Sequence, residues 1–209
     1  MKYYPLFLDL KAKKAVVIGG GRVAERKAAA LIKAGAAIEL VSPSLTPRLQ
    51  KFKAAGKIKH KARNYAKGDL KSAFVVAACT SSGKTNIMIA NDAKELFCPL
   101  INVADNPSEG NFIVPASLTR GPLTIAISTE GASPAIAKMI RKEIQEVYDA
   151  DFAKYLKLLG PLRRKALTKI TDDKKRIYIF KKFSSPKIIS TLRKKGFEAA
   201  SKEMKALLK

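Results

Sequence analysis

Two hydrophobic textures follow one another along this chain. The run KAVVIGG (14–20) is apolar on consecutive positions, as in a strand buried on both faces. ERKAAALIKAG (25–35) has helical spacing at Ala29, Leu31 and Ile32 and stops at Gly35, a residue suited to a helix C-terminus. AIELVS (37–42) predicts a second strand closed by Pro43, LTPRLQKFKAAGK (45–57) a second helix, and KIKHKAR (57–63) a short charged strand. SAFVVAACT (72–80) is apolar throughout and predicts a central strand. A helix over TNIMIANDAKEL (85–96) and a strand over PLINVAD (99–105) follow. Alternation of strand and helix at this short spacing predicts an α/β architecture with a doubly wound parallel sheet.

After residue 112 the pattern changes. FIVPASLTRGPLTIAIST (112–129) predicts two strands around the turn Arg120-Gly121-Pro122. SPAIAKMIRKEIQEVY (133–148) predicts a helix with Ser133 as N-cap and Pro134 in its first position. Ile136, Ile140, Ile144 and Val147 form one apolar stripe on it. From Asp151 onward only helical segments are predicted, with breaks at Gly160-Pro161, Asp172-Asp173, Ser184-Ser185-Pro186 and Gly196. The chain therefore reads as a parallel-sheet domain (1–112), a small α+β region (113–150) and a C-terminal helical domain (151–209).

Composition narrows this picture. An apolar fraction of 47% over 209 residues supports one sizeable core and a smaller appendage. No apolar run approaches the ~20 residues of a membrane helix. The N-terminus MKYYPLFLDL places Pro5 and Asp9 where an export signal keeps a clean apolar core, so a cytoplasmic location without a membrane partner is expected. The formal net charge is +24, and residues 151–209 hold 18 Lys/Arg against 5 Asp/Glu, a net of +13. Such a field attracts polyanions, unless it is only a solvated surface. Cys79, inside AFVVAAC, reads as buried filler, and a disulfide with Cys98 is not expected in a reducing compartment. His60, among cations, reads as a solvated strand residue. One histidine and two cysteines cannot build a zinc site of nitrogen and sulfur ligands, so no resident metal of that kind is expected, and any metal handled would be held transiently or by oxygen.

The candidate chemistry begins at Gly19-Gly20-Gly21-Arg22-Val23-Ala24, a G-x-G-x-x-A loop between a strand and a helix. Gly19 permits the tight turn, Gly21 lets backbone approach a pyrophosphate, and Ala24 lets helix and strand pack closely. The first helical N–H groups, at Arg22 and Val23, then face the phosphates. This is the dinucleotide-binding arrangement of the Rossmann fold. The second strand ends without the usual acid, in Val41-Ser42-Pro43-Ser44, where hydroxyls and backbone remain to hold the ribose. No arginine follows at once, although Arg48 and Lys51 are near; the pattern favours NAD over NADP.

Ligands of such sheets bind at the carboxyl ends of the strands. One end presents Cys79-Thr80-Ser81-Ser82 with Asn86 beyond, another Asn102-Val103-Ala104-Asp105-Asn106-Pro107. Asp105 reads either as a turn residue before proline or as a carboxylate able to accept a proton at the crevice mouth. Ile127-Ser128-Thr129-Glu130-Gly131-Ala132-Ser133-Pro134 leads from a strand into a helix and could cradle a carboxylate.

PLFLDLKAKKAVVIGGGRVAERKAAALIKAGA (5–36), the Val41-Ser42-Pro43 ending, NVADNPSEGNFIVPAS (102–117) and ISTEGASPAIAKMIRKEIQ (127–145) together resemble the precorrin-2 dehydrogenase/sirohydrochlorin ferrochelatase family. The resemblance spans residues 3 to 146 and implies the stand-alone form of the siroheme synthase N-terminal module. It implies NAD-dependent oxidation of precorrin-2 to sirohydrochlorin, and in some members insertion of Fe²⁺ or Co²⁺ by the same site. It places the family's base on Asp105, which would also handle a metal transiently. It places substrate contacts on Ser128 and Thr129, and largely backbone contacts to NAD on Pro43 and Ser44, beside Gly19, Gly21, Arg22, Val23, Ser42 and Thr80. Thr129 stands where some relatives have a second serine. The strands and helix of 113–150 resemble the family's dimerisation region, so a homodimer is implied. Arg22, Arg120, Arg141 and the basic tail are candidates for steering a polycarboxylate substrate. The alternative is an NAD-sensing regulatory module that binds nucleic acid through its basic tail without turnover; few aromatics stand there to stack bases.

Overall fold

Alternate residues of the first strand, β1 (Lys14–Ile18), enter two different cores. Val16 and Ile18 pack with Val76, Ile89 and Val103, whereas Ala15 and Val17 pack with Ala24, Ala28, Leu40 and Leu49. A strand that is apolar on every position thus becomes the centre of a sheet covered on both faces. The computed structural model describes residues 2–208, and the chain divides into two compact units that meet between Val114 and Pro115.

In the first unit β1 pairs in parallel with β2 (Ala37–Val41) and β4 (Val75–Ala78). β3 (Ile58–Lys61) and β5 (Leu100–Val103) complete the five-stranded order β3-β2-β1-β4-β5. Helices α1 (Arg22–Lys33) and α2 (Pro47–Ala54) contribute to one core, α3 (Gly83–Glu95) to the other. The strand order reverses between β1 and β4, and there the carboxyl ends splay to leave a ligand crevice. The predicted doubly wound parallel sheet is present. α1 starts three residues earlier than the spacing indicated, because Ala24 and Ala28, rather than larger residues, form its buried face.

The second unit contains an antiparallel pair, β6 (Ala116–Arg120) and β7 (Leu123–Ile127), followed by helices α4 (Pro134–Val147), α5 (Ala150–Lys169), α6 (Asp173–Phe183) and α7 (Pro186–Ala206). Residues 113–150 and 151–209 thus lie mostly together in this unit. Tyr155, Leu162, Phe183, Leu192 and Met204 centre its helical core, where the Tyr155 hydroxyl donates to the Phe183 carbonyl at 2.8 Å. The break predicted at Gly160-Pro161 does not occur: α5 runs through both residues. Pro161 lies on an exposed face, while Leu158, Leu159 and Leu162 hold the helix to the core. Packing there outweighs the lost hydrogen bond. At Gly196 the backbone does leave helical geometry (φ 79°), and Asp151 Oδ2 caps the segment beyond by accepting the Phe197 N–H at 3.0 Å.

Candidate active site

The carboxyl ends of β1, β2 and β4 enclose a cleft of about 990 Å³, within the range of small-molecule and cofactor sites. Its floor is the glycine loop. Gly19 has φ +115°, and a Cβ there would stand 2.4 Å from the Cys79 carbonyl oxygen, so neither backbone nor space admits a side chain. A Cβ on Gly20 would lie 1.8 Å from the Ser44 carbonyl oxygen. At Gly21 a Cβ would meet no protein atom within 4 Å; the space beside it is open cleft lining. Gly21 is also the N-cap of α1, and no side chain caps that helix. The other six α-helices among the described residues are capped by Thr46, Ser82, Ser133, Asp149, Asp172 and Ser185. The first N–H groups of α1 are therefore left for an anion in the cleft.

The segment after β2 is stitched to this loop. Gly19 N–H donates to Val41 O (2.9 Å), Thr46 N–H to Gly20 O (3.1 Å) and Ser42 Oγ to Ser44 O (2.8 Å). The Ser42 proton is thereby committed within the turn, whereas the Ser44 hydroxyl has no protein partner among the described residues. His60 is half-buried rather than solvated, because β3 lies against β2 and its Nε2 donates to the Ser42 carbonyl at 2.8 Å. A carbonyl only accepts, so Nε2 carries the proton. Beyond β3, Arg63, Asn64 and Tyr65 form another wall. Arg63 makes a two-pronged pair with buried Asp69, and its guanidinium holds that carboxyl well below the usual aspartate range. The Tyr65 hydroxyl donates to Asp92 at 2.8 Å; burial and then Asp92 raise its pKa.

At the end of β4 one buried side chain joins two strand ends. Asn86, 1% exposed, accepts through Oδ1 from the Thr80 N–H (3.0 Å) and the Thr80 hydroxyl (2.8 Å). Its Nδ2 donates to Asp105 Oδ1 at 2.9 Å. Asp105 itself is exposed just beyond β5, its Oδ2 3.4 Å from where a Cβ of Gly83 would sit. Burial pushes the Cys79 thiol up to about 11, so it stays protonated and is no nucleophile. Cys79 and Cys98 are both free and buried, the first as its apolar run indicated.

Eight residues expected to hold the cofactor, Gly19, Gly21, Arg22, Val23, Ser42, Pro43, Ser44 and Thr80, line the same cleft. Asp105 is tied to it through Asn86 and Thr80. Ser128 and Thr129 belong to the second unit, in the turn between β7 and α4. There Ser128 Oγ accepts the Glu130 N–H and Thr129 Oγ1 the Ser133 N–H, each at 3.1 Å, which leaves both hydroxyl protons to donate.

Residues 6–116 match a family of NAD(P)-binding domains, and residues 120–146 match the central region of sirohaem biosynthesis proteins. Over 191 residues the sequence is 31% identical to precorrin-2 dehydrogenase of Priestia megaterium, covering 85% of this chain and 94% of that protein. The chain belongs to the precorrin-2 dehydrogenase family. The same family module occurs in longer proteins: siroheme synthase of Methylobacillus flagellatus is 34% identical over 179 residues, 85% of this chain but only 38% of its own length. The solved structure of SirC, a precorrin-2 dehydrogenase, matches 98% of this chain and all of its own, with a TM-score of 0.80 at 26% identity.

The uncapped α1 and the open space at Gly21 fit the pyrophosphate of NAD, and the backbone-rich turn 42–44 fits its ribose. Sequence reasoning overlooked Gly20, treated as a variable position, although Ser44 packs directly on it. It noted Asn86 only as a neighbour of the β4 end and passed over Arg63, Asn64 and Tyr65. The run KIKHKARNY offered a signal in its charge, but nothing local says which cations face a cleft.

Proposed function

We propose that the protein oxidises precorrin-2 to sirohydrochlorin with NAD⁺ as hydride acceptor. The observation that carries this reading is the link from the dinucleotide cleft to a carboxylate: Thr80 on its lining, Asn86 beneath and Asp105 at the edge. The α1 N–H groups at Arg22 and Val23 hold the pyrophosphate, while Pro43 and Ser44 meet the ribose. NAD⁺ bound there would supply the acceptor for a hydride from the macrocycle. Asp105 accepts the proton that leaves with it, so the substrate loses two electrons and two protons in all, one as hydride. The N–H···O bond from Asn86 keeps the Asp105 carboxylate aimed. Ser128 and Thr129 offer hydroxyl donors to the substrate's carboxylates.

Anaerobic incubation with precorrin-2 and NAD⁺ is expected to produce NADH and sirohydrochlorin in equal amounts, and Asp105→Asn to slow turnover by about 10²- to 10⁴-fold. A folded protein that gives no NADH overturns the reading. The relatives and the structural neighbour are all named as enzymes, which leaves the sensor reading without support.

Insertion of Fe²⁺ or Co²⁺ into sirohydrochlorin is a second activity favoured by the name siroheme synthase on relatives that match the same region. The described residues contain no group of three His, Cys, Asp or Glu placed to hold a metal, so the metal would enter as a substrate. Metal insertion at the rate of buffer alone removes this activity. A homodimer through β6, β7 and α4 would cover the exposed Ile136, Met139 and Val147. No helix among the described residues is long and apolar enough to cross a membrane, and two free thiols suit the cytoplasm.

A further inference from the structure

Resting on that functional reading, we propose that Asp69 makes the cleft select NAD over its 2′-phosphorylated counterpart by withholding Arg63. β2 and β3 run side by side with Val41 opposite Lys61, so the residues after each strand share one rim. Ser42, Ser44 and Arg63 line the same cleft. The ribose of a bound dinucleotide is received at the end of the second strand, and a free guanidinium there is the usual holder of a 2′-phosphate. No acid stands at this end to repel one. Discrimination therefore has to come from the state of the cations.

Among the described residues Arg63, Lys61 and Arg48 each have a carboxylate partner. Arg63 Nη2 donates to Asp69 Oδ1 at 2.6 Å, and Nη1 donates to Oδ2 at 2.8 Å and to the Asn64 carbonyl at 2.9 Å. Asp69 also takes Lys61 Nζ at 3.0 Å and the Ala66 N–H at 3.0 Å. Lys61 in turn meets Glu39 at 3.2 Å, an acid that also meets Lys14 at the amino end of β1, away from the rim. Arg48 lies 3.5 Å from Glu25 and over the Phe52 ring. In a chain of net charge +24, the two cations following and ending β3 are matched by two carboxylates. Asp69 cannot turn away to release Arg63. It is 2% exposed, on a 3-10 turn (Lys67–Leu70) whose Leu70 is fully buried in the sheet's core. A phosphate arriving at the rim would have to compete with a carboxylate already seated and fully bonded.

The test is calorimetric titration of the full-length protein and its variants with NAD⁺ and with NADP⁺, without precorrin-2. The parent is expected to prefer NAD⁺. Asp69→Asn should shift the affinity ratio toward NADP⁺ by roughly ten- to a hundredfold, the worth of one hydrogen bond to a charged group. Adding Arg63→Gln should abolish that gain. Asn64→Arg, at an exposed position, supplies an unpaired guanidinium to the same wall without disturbing Asp69, and should improve NADP⁺ binding even if Asp69→Asn does not fold. A parent that binds both nucleotides equally overturns the inference. So does an NAD⁺-binding parent whose folded variants keep its preference, and in both cases the functional reading survives. A parent that binds neither nucleotide overturns both.

Discussion

At the scale of single residues, Asn86 joins the cofactor cleft to the proposed base. Its side chain is buried and all its polar atoms are bonded, to Thr80 on one side and Asp105 on the other. Asn86→Ala removes a donor from the carboxylate and strands the Thr80 N–H, a loss of about 1–3 kcal/mol in stability. It also removes the hydrogen bond that aims the Asp105 carboxylate, so kcat of the folded variant should fall. A structural role alone would lower the unfolding midpoint and leave kcat of the folded variant in place; the two measurements separate the effects. Asn86 was visible in the sequence as a polar residue on a helix, but its partner lies nineteen positions away on another strand end. No spacing rule connects a helix residue to a loop across a sheet.

At the scale of elements, the short strand β3 and the turn after it are held by charge. Arg63, and after it the Ala66 N–H and Lys61, hold the Asp69 carboxyl below its ordinary range. Its stabilisation is therefore fully present above the unfolded-state pKa, near 4, and is lost as pH falls below about 4 toward the native-state pKa. Thermal unfolding should show a midpoint that falls on acidification in that window, and Asp69→Asn should flatten the dependence. An unchanged slope in the variant would place the acid sensitivity elsewhere. The periodicity located this strand through its β-branched and charged residues, yet it read His60 as solvated. Whether β3 has a neighbour on one side or two depends on sheet order, and β2 alone supplies the carbonyl that His60 meets. The helix α5 shows the opposite limit: Gly160-Pro161 is a strong local stop, and packing in the second unit's core overrode it.

At the scale of the whole molecule, the charge and the uncovered apolar stripe on α4 each make a prediction. If α4 is a dimer surface, Met139→Lys should convert the protein from dimer to monomer in light scattering without loss of helicity. A monomeric parent would remove the homodimer. With a net charge of +24 and a substrate rich in carboxylates, kcat/KM for precorrin-2 should fall steeply as salt rises, while binding of NAD⁺, which has fewer charges, should change less. Equal salt dependence for the two ligands would mean that the basic surface has no part in substrate capture.

The amino-acid order by itself determined the strands and helices of the first unit, the parallel winding of its sheet, the glycine loop and the family. These depend on residues close together in the chain, where periodicity and backbone geometry act. Tertiary structure alone decided which polar groups meet: Asn86 with Asp105, Arg63 with Asp69, His60 with the Ser42 carbonyl. Such pairs depend on which strands are neighbours and on side-chain direction at the sheet edge. Hydrogen bonds form only within about 3 Å, a distance that no local pattern in the chain specifies.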